Sequence, residues 1–417
     1  MLSDTIDYMF VSMQLSLDAT YITASLKIIS FIFLLVLSYR LNWQASMPPW
    51  VIVFFKIMIG WNVITIVRGA FSAEDYWDWK YLILNTSFSL LIPFVVVVGL
   101  LFNKTRDLFK LIITKIFLFG FIIIPLTLNI DTDRELFARG IVMSVSFFIL
   151  LSPYFAFKWR VLTFIVAATS IYLAFDFRTN IIRIAVATAI ISLFYVRKYI
   201  PNGFFRFICF ACFALPLVFL FLGATNQYNI FHPVDDIDKY EYSYENGSEK
   251  NIAVDTRTFL YEEVFASMAL NNSFITGEGG AGTYRTAYFD ESVSQGKGRP
   301  GAEVGFLNIL LYSGIIGVIM YAAMLFSAAY YAVNYSNNFL CKMIALFLVF
   351  RWILFFVEDF TGYDINYYFI WVCAGLCFSK GFRSLTDADI ANYFDFRIPA
   401  NQPELAYNGG KQSAKTK

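Results

Sequence analysis

Long apolar runs separated by short polar connections make up most of the chain. About eleven of them are read as membrane-crossing helices, which take roughly 20 residues each. They lie near 22–39, 49–67, 82–102, 110–129, 137–157, 160–175, 180–196, 205–224, 304–333, 338–357 and 364–379. The sixth and seventh are short, and the ninth is long enough to tilt or to extend past a bilayer. The connections alternate in charge. NKTRDLFK (103–110), KWR (158–160), YVRKYIPNGFFR (195–206), NNFLCK (337–342) and the tail after Lys380 are basic. EDYWDWK (74–80), DTDRELFARG (131–140), the long segment 225–303 and EDFTGYD (358–364) are acidic or mixed. Lys and Arg accumulate in cytoplasmic connections. The alternation therefore predicts an N-terminus outside, a C-terminus inside and segment 225–303 outside, with Arg139 and Arg178 running against the phase.

Four regions follow: a bundle of about eight helices over 1–224, the outer loop 225–303, about three helices over 304–380, and a polar tail over 381–417 that ends in disorder. Composition agrees. Of 417 residues, 58% are hydrophobic and 15% charged, whereas a soluble domain carries about a quarter charged residues. The expected fold class is an all-α polytopic membrane protein with one large extracytoplasmic loop that contains an amphipathic helix. The N-terminal MLSDTIDYMFVSMQLSLDAT lacks the basic and compact apolar parts of a cleavable signal peptide. All five cysteines lie in apolar segments, so no disulfide is expected in the loop. Cys209 and Cys212 spell C-x-x-C but read as two small apolar side chains in a span.

The loop divides in two. Residues 226–254 are acidic and Tyr-rich and hold the single histidine, His232, read as a surface residue. Asp255 is a plausible N-cap, and TRTFLYEEVFASMAL then places Phe259, Leu260, Val264 and Met268 near one helical face. NNSFITGEGGAGTY follows as a turn region, and the chain returns to the membrane at GAEVGFLNILLYSGIIG. Gly277, Gly279 and Gly282 form G-x-G-x-x-G. A dinucleotide fingerprint needs a strand before the glycines and a helix after them. Here a helix precedes them, so the expectation is tight turns at the membrane surface that present N–H groups to an anion.

Charged residues in or beside the apolar runs are the candidate chemistry, because a charge at the bilayer centre costs about 2.5–3.5 kcal/mol on the insertion scale. Arg178 and Arg183 stand in AFDFRTNIIRIAVATAIIS. Arg351 opens RWILFFVEDF, with Glu358 near the same helical face. The alternative to a functional reading is internal pairing, Asp176 with Arg183 and Arg351 with Glu358. Arg257, Arg285 and Arg299 add cations on the outer side, and guanidinium groups grip pyrophosphate bidentately. Glu303 stands at the junction of loop and span. Partial desolvation there would raise its pKa and fit it for base work; the alternative is an acid stabilised by the helix dipole. Lys27 and Lys56 fall in spans and can snorkel or pair. No metal-ligand spacing, Walker motif or Ser-His-Asp arrangement appears.

This layout resembles the O-antigen polymerase and ligase superfamily. The similarity rests on DTRTFLYEEVFASMALNNSFITGEGGAGTY, on the return segment AEVGFLNILLYSGIIGVIMY and on FDFRTNIIRI, together about a quarter of the chain. The resemblance implies a GT-C-like membrane glycosyltransferase that joins oligosaccharide repeat units carried on undecaprenyl pyrophosphate, at the outer face of the bacterial inner membrane. It implies Arg178 and Arg257 on the pyrophosphate, with Arg299 or Arg285 assisting, and Glu303 orienting or deprotonating the acceptor hydroxyl. Arg183, Asn308 and Arg351 complete the expected substrate contacts, with arginines in place of a metal and no cofactor. The expected partners are the lipid-linked glycan as donor and acceptor, the bilayer, a chain-length regulator and a flippase, and no nucleic acid. The ligase branch carries a histidine beside the return-segment Asn. Here AEVGFLN offers Glu303 and Asn308 instead, which favours a polymerase. A ligase and a polysaccharide flippase or transporter are the alternatives, the last being a class that shows paired repeats or broken helices.

Overall fold

The computed structural model describes residues 20–102, 145–173, 178–224, 241–243, 249–251, 258–286, 298–359, 362 and 365–394. Among the described residues, seven helices precede the loop: α1 Thr20–Arg40, α2 Pro49–Ser72, α3 Tyr76–Leu100, α4 Val145–Tyr154, α5 Phe157–Leu173, α6 Arg178–Tyr195 and α7 Asn202–Ala224. In the loop, strands β1 Glu241–Ser243 and β2 Glu249–Asn251 pair antiparallel, with Tyr242 opposite Lys250, and α8 covers Thr258–Leu270. Then come α9 Gly305–Asn334, α10 Phe339–Leu354, α11 Ile365–Phe378, α12 Lys380–Ser384 and α13 Asp387–Phe394. Ten of the apolar runs coincide with a helix in whole or in part; the run near 110–129 lies outside the described residues. Among the described residues, α2, α3, α9 and the Asn202–Leu222 part of α7 are long and apolar enough to cross a membrane.

The chain marks its own helix boundaries. Pro49 starts α2, where its missing N–H costs nothing. Asp75 and Asp78 form a reciprocal capping box ahead of α3. The Asn338 side chain accepts from Cys341 N at 2.8 Å to start α10. α3 is irregular inside, with a π turn at Leu82–Thr86 and a 3₁₀ turn at Ile92–Val95, where Pro93 withholds a backbone donor.

α3 and α9 are mostly buried, whereas α2 and the Asn202–Leu222 part of α7 are mostly uncovered. The uncovered faces are apolar: Phe33, Val53, Phe207, Phe210 and Phe221 are all more than half exposed. Water would not tolerate a surface of that kind; hydrocarbon suits it. The arrangement is that of an α-helical membrane protein. At the centre, α3 and α11 cross on small residues. A methyl at Gly99 would lie 2.6 Å from Leu376 N, and one at Gly375 would lie 2.9 Å from Gly99 Cα. Close backbone approach of this kind drives helix association in lipid. Asn62, fully buried on α2, donates to Leu90 O at 2.7 Å and to Tyr321 Oη at 3.2 Å, which ties α2, α3 and α9 together.

Contacts between connections collect at two ends of the bundle. At one end Arg68, Tyr81, Arg183, Tyr261, the 274–280 turn, Gly305 and Glu358 meet. At the other, Lys342 Nζ donates to Asn202 Oδ1 at 2.7 Å, and Asn338 Nδ2 donates to Phe382 O and Leu385 O. The Tyr154 hydroxyl and Phe339 N both donate to Asp387 Oδ1, at 2.9 and 2.8 Å. The start of the polar tail is therefore structured. α12 and α13 are held against the bundle by buried Asn338 and by Asp387, polar anchors that hydrophobic periodicity does not register.

Candidate functional site at the loop end of the bundle

The buried helix α9 is broken. Gly314 has φ 67° and ψ −171°, a left-handed backbone that glycine adopts without a Cβ penalty. A break inside a membrane helix strands carbonyls before it and N–H groups after it. Here the glycine-rich turn supplies the missing partners. Glu278 N donates to Leu311 O at 2.7 Å, Gly279 N to Tyr312 O at 3.1 Å, and Trp61 Nε1 to Ser313 O at 3.1 Å. Beyond the break, Ile315 N donates to Phe274 O at 2.8 Å and Ile316 N to Ile275 O at 3.4 Å. The turn is also fastened to α2: Gly280 N donates to Thr65 O at 2.9 Å, and the two Nη atoms of Arg68 donate to Thr276 O and Gly277 O, each at 2.7 Å. The G-x-G-x-x-G turn thus differs from the expected surface turn with N–H groups open to an anion. The N–H groups of Glu278, Gly279 and Gly280 are already given to carbonyls, and the glycines permit the backbone to enter the break.

After the turn, Tyr284 and Arg299 exchange backbone hydrogen bonds, Tyr284 N to Arg299 O at 3.1 Å and Arg299 N to Tyr284 O at 2.8 Å. This pairing delivers Arg299 to the base of the loop. Its Nη2 lies 3.0 Å from Glu303 Oε1, and its Nη1 donates to Tyr284 Oη at 3.5 Å. Burial pushes the Tyr284 phenol above its ordinary pKa, and the Arg299 charge partly offsets this. The Glu303 side chain is 62% exposed. The protein itself does not cover Glu303, which lies ahead of the first turn of α9 while its neighbours Ala302 and Val304 are buried. Asn308 is buried, accepting from Ala302 N at 2.6 Å and donating to Ala302 O at 2.9 Å. Its amide is committed to shaping the segment that carries Glu303.

The remaining candidates separate. Arg183 is buried and ion-paired with buried Glu358, and it also donates to Asn180 Oδ1 at 3.0 Å. Glu358 is thus paired with Arg183, not Arg351 as the seven-residue spacing suggested; α10 ends at Leu354, so the spacing does not continue along one helix. Glu358 O also accepts from Gly305 N at 2.9 Å, which joins this pair to the start of α9. Arg351 is 1% exposed and lines a cavity of about 10 Å³ with Tyr321, Tyr367 and Trp371, room for one water. Arg285 is exposed, its backbone N donating to Ser267 Oγ at 3.4 Å. Arg178 opens α6, five residues ahead of Arg183 and so about 7.5 Å from it along the axis. Arg257, Asp176 and His232 lie outside the described residues. Lys56 is exposed and Lys27 half-buried. Among the described residues no group of three or more His, Cys, Asp or Glu side chains could hold a metal ion.

Sequence reasoning missed Arg68, Trp61 and Glu278. Arg68 had a signal, a cation near the end of an apolar run in IVRGAF. Glu278 had none; it accepts from Asn271 Nδ2 at 3.0 Å and from the Ser273 hydroxyl and so closes the turn on the end of α8. In comparisons with family models, curated proteins and solved structures, nothing matches this chain.

Proposed function

We propose that the protein is a membrane glycosyltransferase that polymerises undecaprenyl-pyrophosphate-linked oligosaccharide repeat units at the outer face of a bacterial inner membrane. The observation that carries this reading is the accessible Arg299–Glu303 pair at the junction of loop and span, 3.0 Å apart on a segment held by the Tyr284–Arg299 pairing and the Asn308 clamp. In this reading the acceptor sugar hydroxyl attacks the anomeric carbon of the donor. The new glycosidic bond forms as the bond to pyrophosphate breaks, the pyrophosphate leaves with the electron pair, and the hydroxyl proton passes to Glu303. Arg299, assisted by Arg178, Arg257 and Arg285, stabilises the charge that develops on the leaving group. In this reading the glycan that covers Glu303, whose side chain the protein leaves 62% exposed, contributes to its desolvation.

The test is polymer length in a deletion strain complemented with Glu303→Gln, with protein level measured alongside. General base catalysis contributes about 10²–10⁴-fold. Polymer should therefore nearly vanish while lipid carrying single repeat units persists outside. Wild-type chain length at wild-type protein level removes Glu303 from the reaction. One observation favours a second reading, a polysaccharide flippase or transporter: the break in α9 at Gly314, since broken helices commonly mark transport sites. Against it, this break is filled by the chain's own turn instead of facing an open cavity. Loss of a flippase would strand repeat units on the inner leaflet, which separates the two.

A further inference from the structure

The turn that fills the α9 break carries apolar side chains on its free side. Ile275 is 65% exposed and Phe274 38%, and Leu270, at the end of α8, is 69% exposed. Three helices fix how far inward this turn reaches. On α2 it docks at Thr65 and Arg68; Thr65 is seven residues short of the helix end at Ser72, or about 10 Å. On α9 the break lies nine residues from the helix start at Gly305, or about 14 Å. On α3 a methyl on Gly280 would touch Leu82, six residues inward of Tyr76, or about 9 Å. Exposed Tyr76, Trp77 and Trp79 crowd that outer end, and such residues gather at headgroup level. The uncovered face of α2 beside the docking level is apolar, through Ile64, Val67 and, one turn farther out, Phe71 at 88% exposure.

We infer that Phe274 and Ile275 form a re-entrant tip embedded in the hydrocarbon of the leaflet on the loop side. The occupant of this apolar surface is a lipid chain, because the surface is continuous with the uncovered faces of α2 and α9, where Ile315 and Ile319 are also exposed. Irregular backbone survives at hydrocarbon depth only when its polar groups are satisfied from within the protein. Most of these groups are satisfied here: the carbonyls of Phe274, Ile275, Thr276 and Gly277 accept from Ile315, Ile316 and Arg68. The N–H groups of Gly277, Glu278, Gly279 and Gly280 donate to Ser273, Leu311, Tyr312 and Thr65. Polar Asn271 and Asn272 at the end of α8 stay exposed on the aqueous side of the tip. The consequence is that a turn read from sequence as lying at the membrane surface reaches into lipid and anchors the loop beside the segment that bears Arg299 and Glu303. This anchoring holds whichever reaction the chain performs.

The test uses the wild-type protein in vesicles of phosphatidylcholine bearing a photoactivatable diazirine midway along one acyl chain. Carbene adducts should appear on Phe274 or Ile275 at yields comparable with Ile64 and Val67. Adducts on Ile64 and Val67 with none at 274–275 would overturn the inference. A second measurement compares Ile275→Cys with Asn272→Cys in sealed vesicles with the loop side outward, using a membrane-impermeant maleimide and the wild type as baseline. Ile275→Cys should label at least about tenfold more slowly, and equal rates would place the tip in water.

Discussion

Replacing Arg183 with methionine should be among the most damaging single changes in the bundle, and a second replacement should repair it. Arg183 and Glu358 bury all but 6% and 8% of their side chains and pair with one another. Removing one member leaves a buried charge without compensation, at a cost of about 3–5 kcal/mol. At 1.4 kcal/mol per decade, that lowers the folded-to-unfolded ratio by about two to three and a half orders of magnitude. Replacing both with apolar side chains of similar volume removes both desolvation penalties and is often neutral or stabilising. Arg183→Met and Glu358→Leu should each destabilise strongly, and the double variant should recover most of the loss. The assay is equilibrium unfolding in mixed micelles with rising dodecyl sulfate, followed by tryptophan fluorescence, as a double-mutant cycle. The reasoning fails if each single change costs under about 0.5 kcal/mol, or if the double variant loses the sum of the two. It fails equally if Arg351→Met, and not Arg183→Met, rescues Glu358→Leu.

Three further outcomes are expected. Gly314→Ala would have to hold φ 67° with ψ −171°, an essentially glycine-only region, at about 1–3 kcal/mol, and sets a methyl 2.6 Å from Gly277 N; amide exchange at Glu278 and Gly279 should accelerate, and unchanged protection would show the break to be permissive. Arg68→Ala should accelerate exchange at Gly280 while Arg68→Lys does so partly, because one ammonium cannot reproduce two 2.7 Å bonds from separate nitrogens. The third concerns α13, where hydrogen bonds from Thr386 hold the Asp389 carboxyl below its ordinary value of 3.8. A depressed folded value contributes stability above the unfolded pKa that is lost as pH falls through the folded one, so exchange at Ile390 should rise only at acidic pH, and a rise near neutral pH would refute the cap.

Helix placement was legible because lipid-facing helices are written in long apolar runs. α1, α2, α7, α9, α10 and α11 all fall where such runs are, and α8 begins three residues after the Asp255 expected to cap it. The irregularities were not legible. The Gly314 break sits inside the continuous apolar string ILLYSGIIGVIMY, and no periodicity distinguishes a glycine that packs from one that reverses φ. The pairing of Arg183 with Glu358 crosses 175 residues and depends on where α10 stops, a boundary that an apolar pattern running on through Phe355 and Phe356 conceals. The local burial around Glu303 was not legible either, because it alternates abruptly, from buried Ala302 through exposed Glu303 to buried Val304.

The cost of releasing each arginine from its present partners ranks its availability to an anionic ligand. Arg183 would have to abandon a buried carboxylate, so a ligand would have to supply about 3–5 kcal/mol merely to compensate. Arg68 holds two carbonyls whose loss would open the turn in the α9 break. Arg351 is buried against Tyr321, Tyr367 and Trp371, beyond the reach of a bulky ligand without rearrangement of the core. Arg299 is different. Its ion-pair partner Glu303 is largely exposed, which brings the pair toward the roughly 0–1 kcal/mol of surface pairs, and its contact with Tyr284 Oη is long at 3.5 Å. A doubly charged pyrophosphate could displace Glu303 at little cost. In the proposed reaction the displaced carboxylate would then be free to accept the proton of the incoming hydroxyl. The weakness of this pair is therefore an argument for its use, and the strength of the Arg183 pair is an argument that it serves the scaffold.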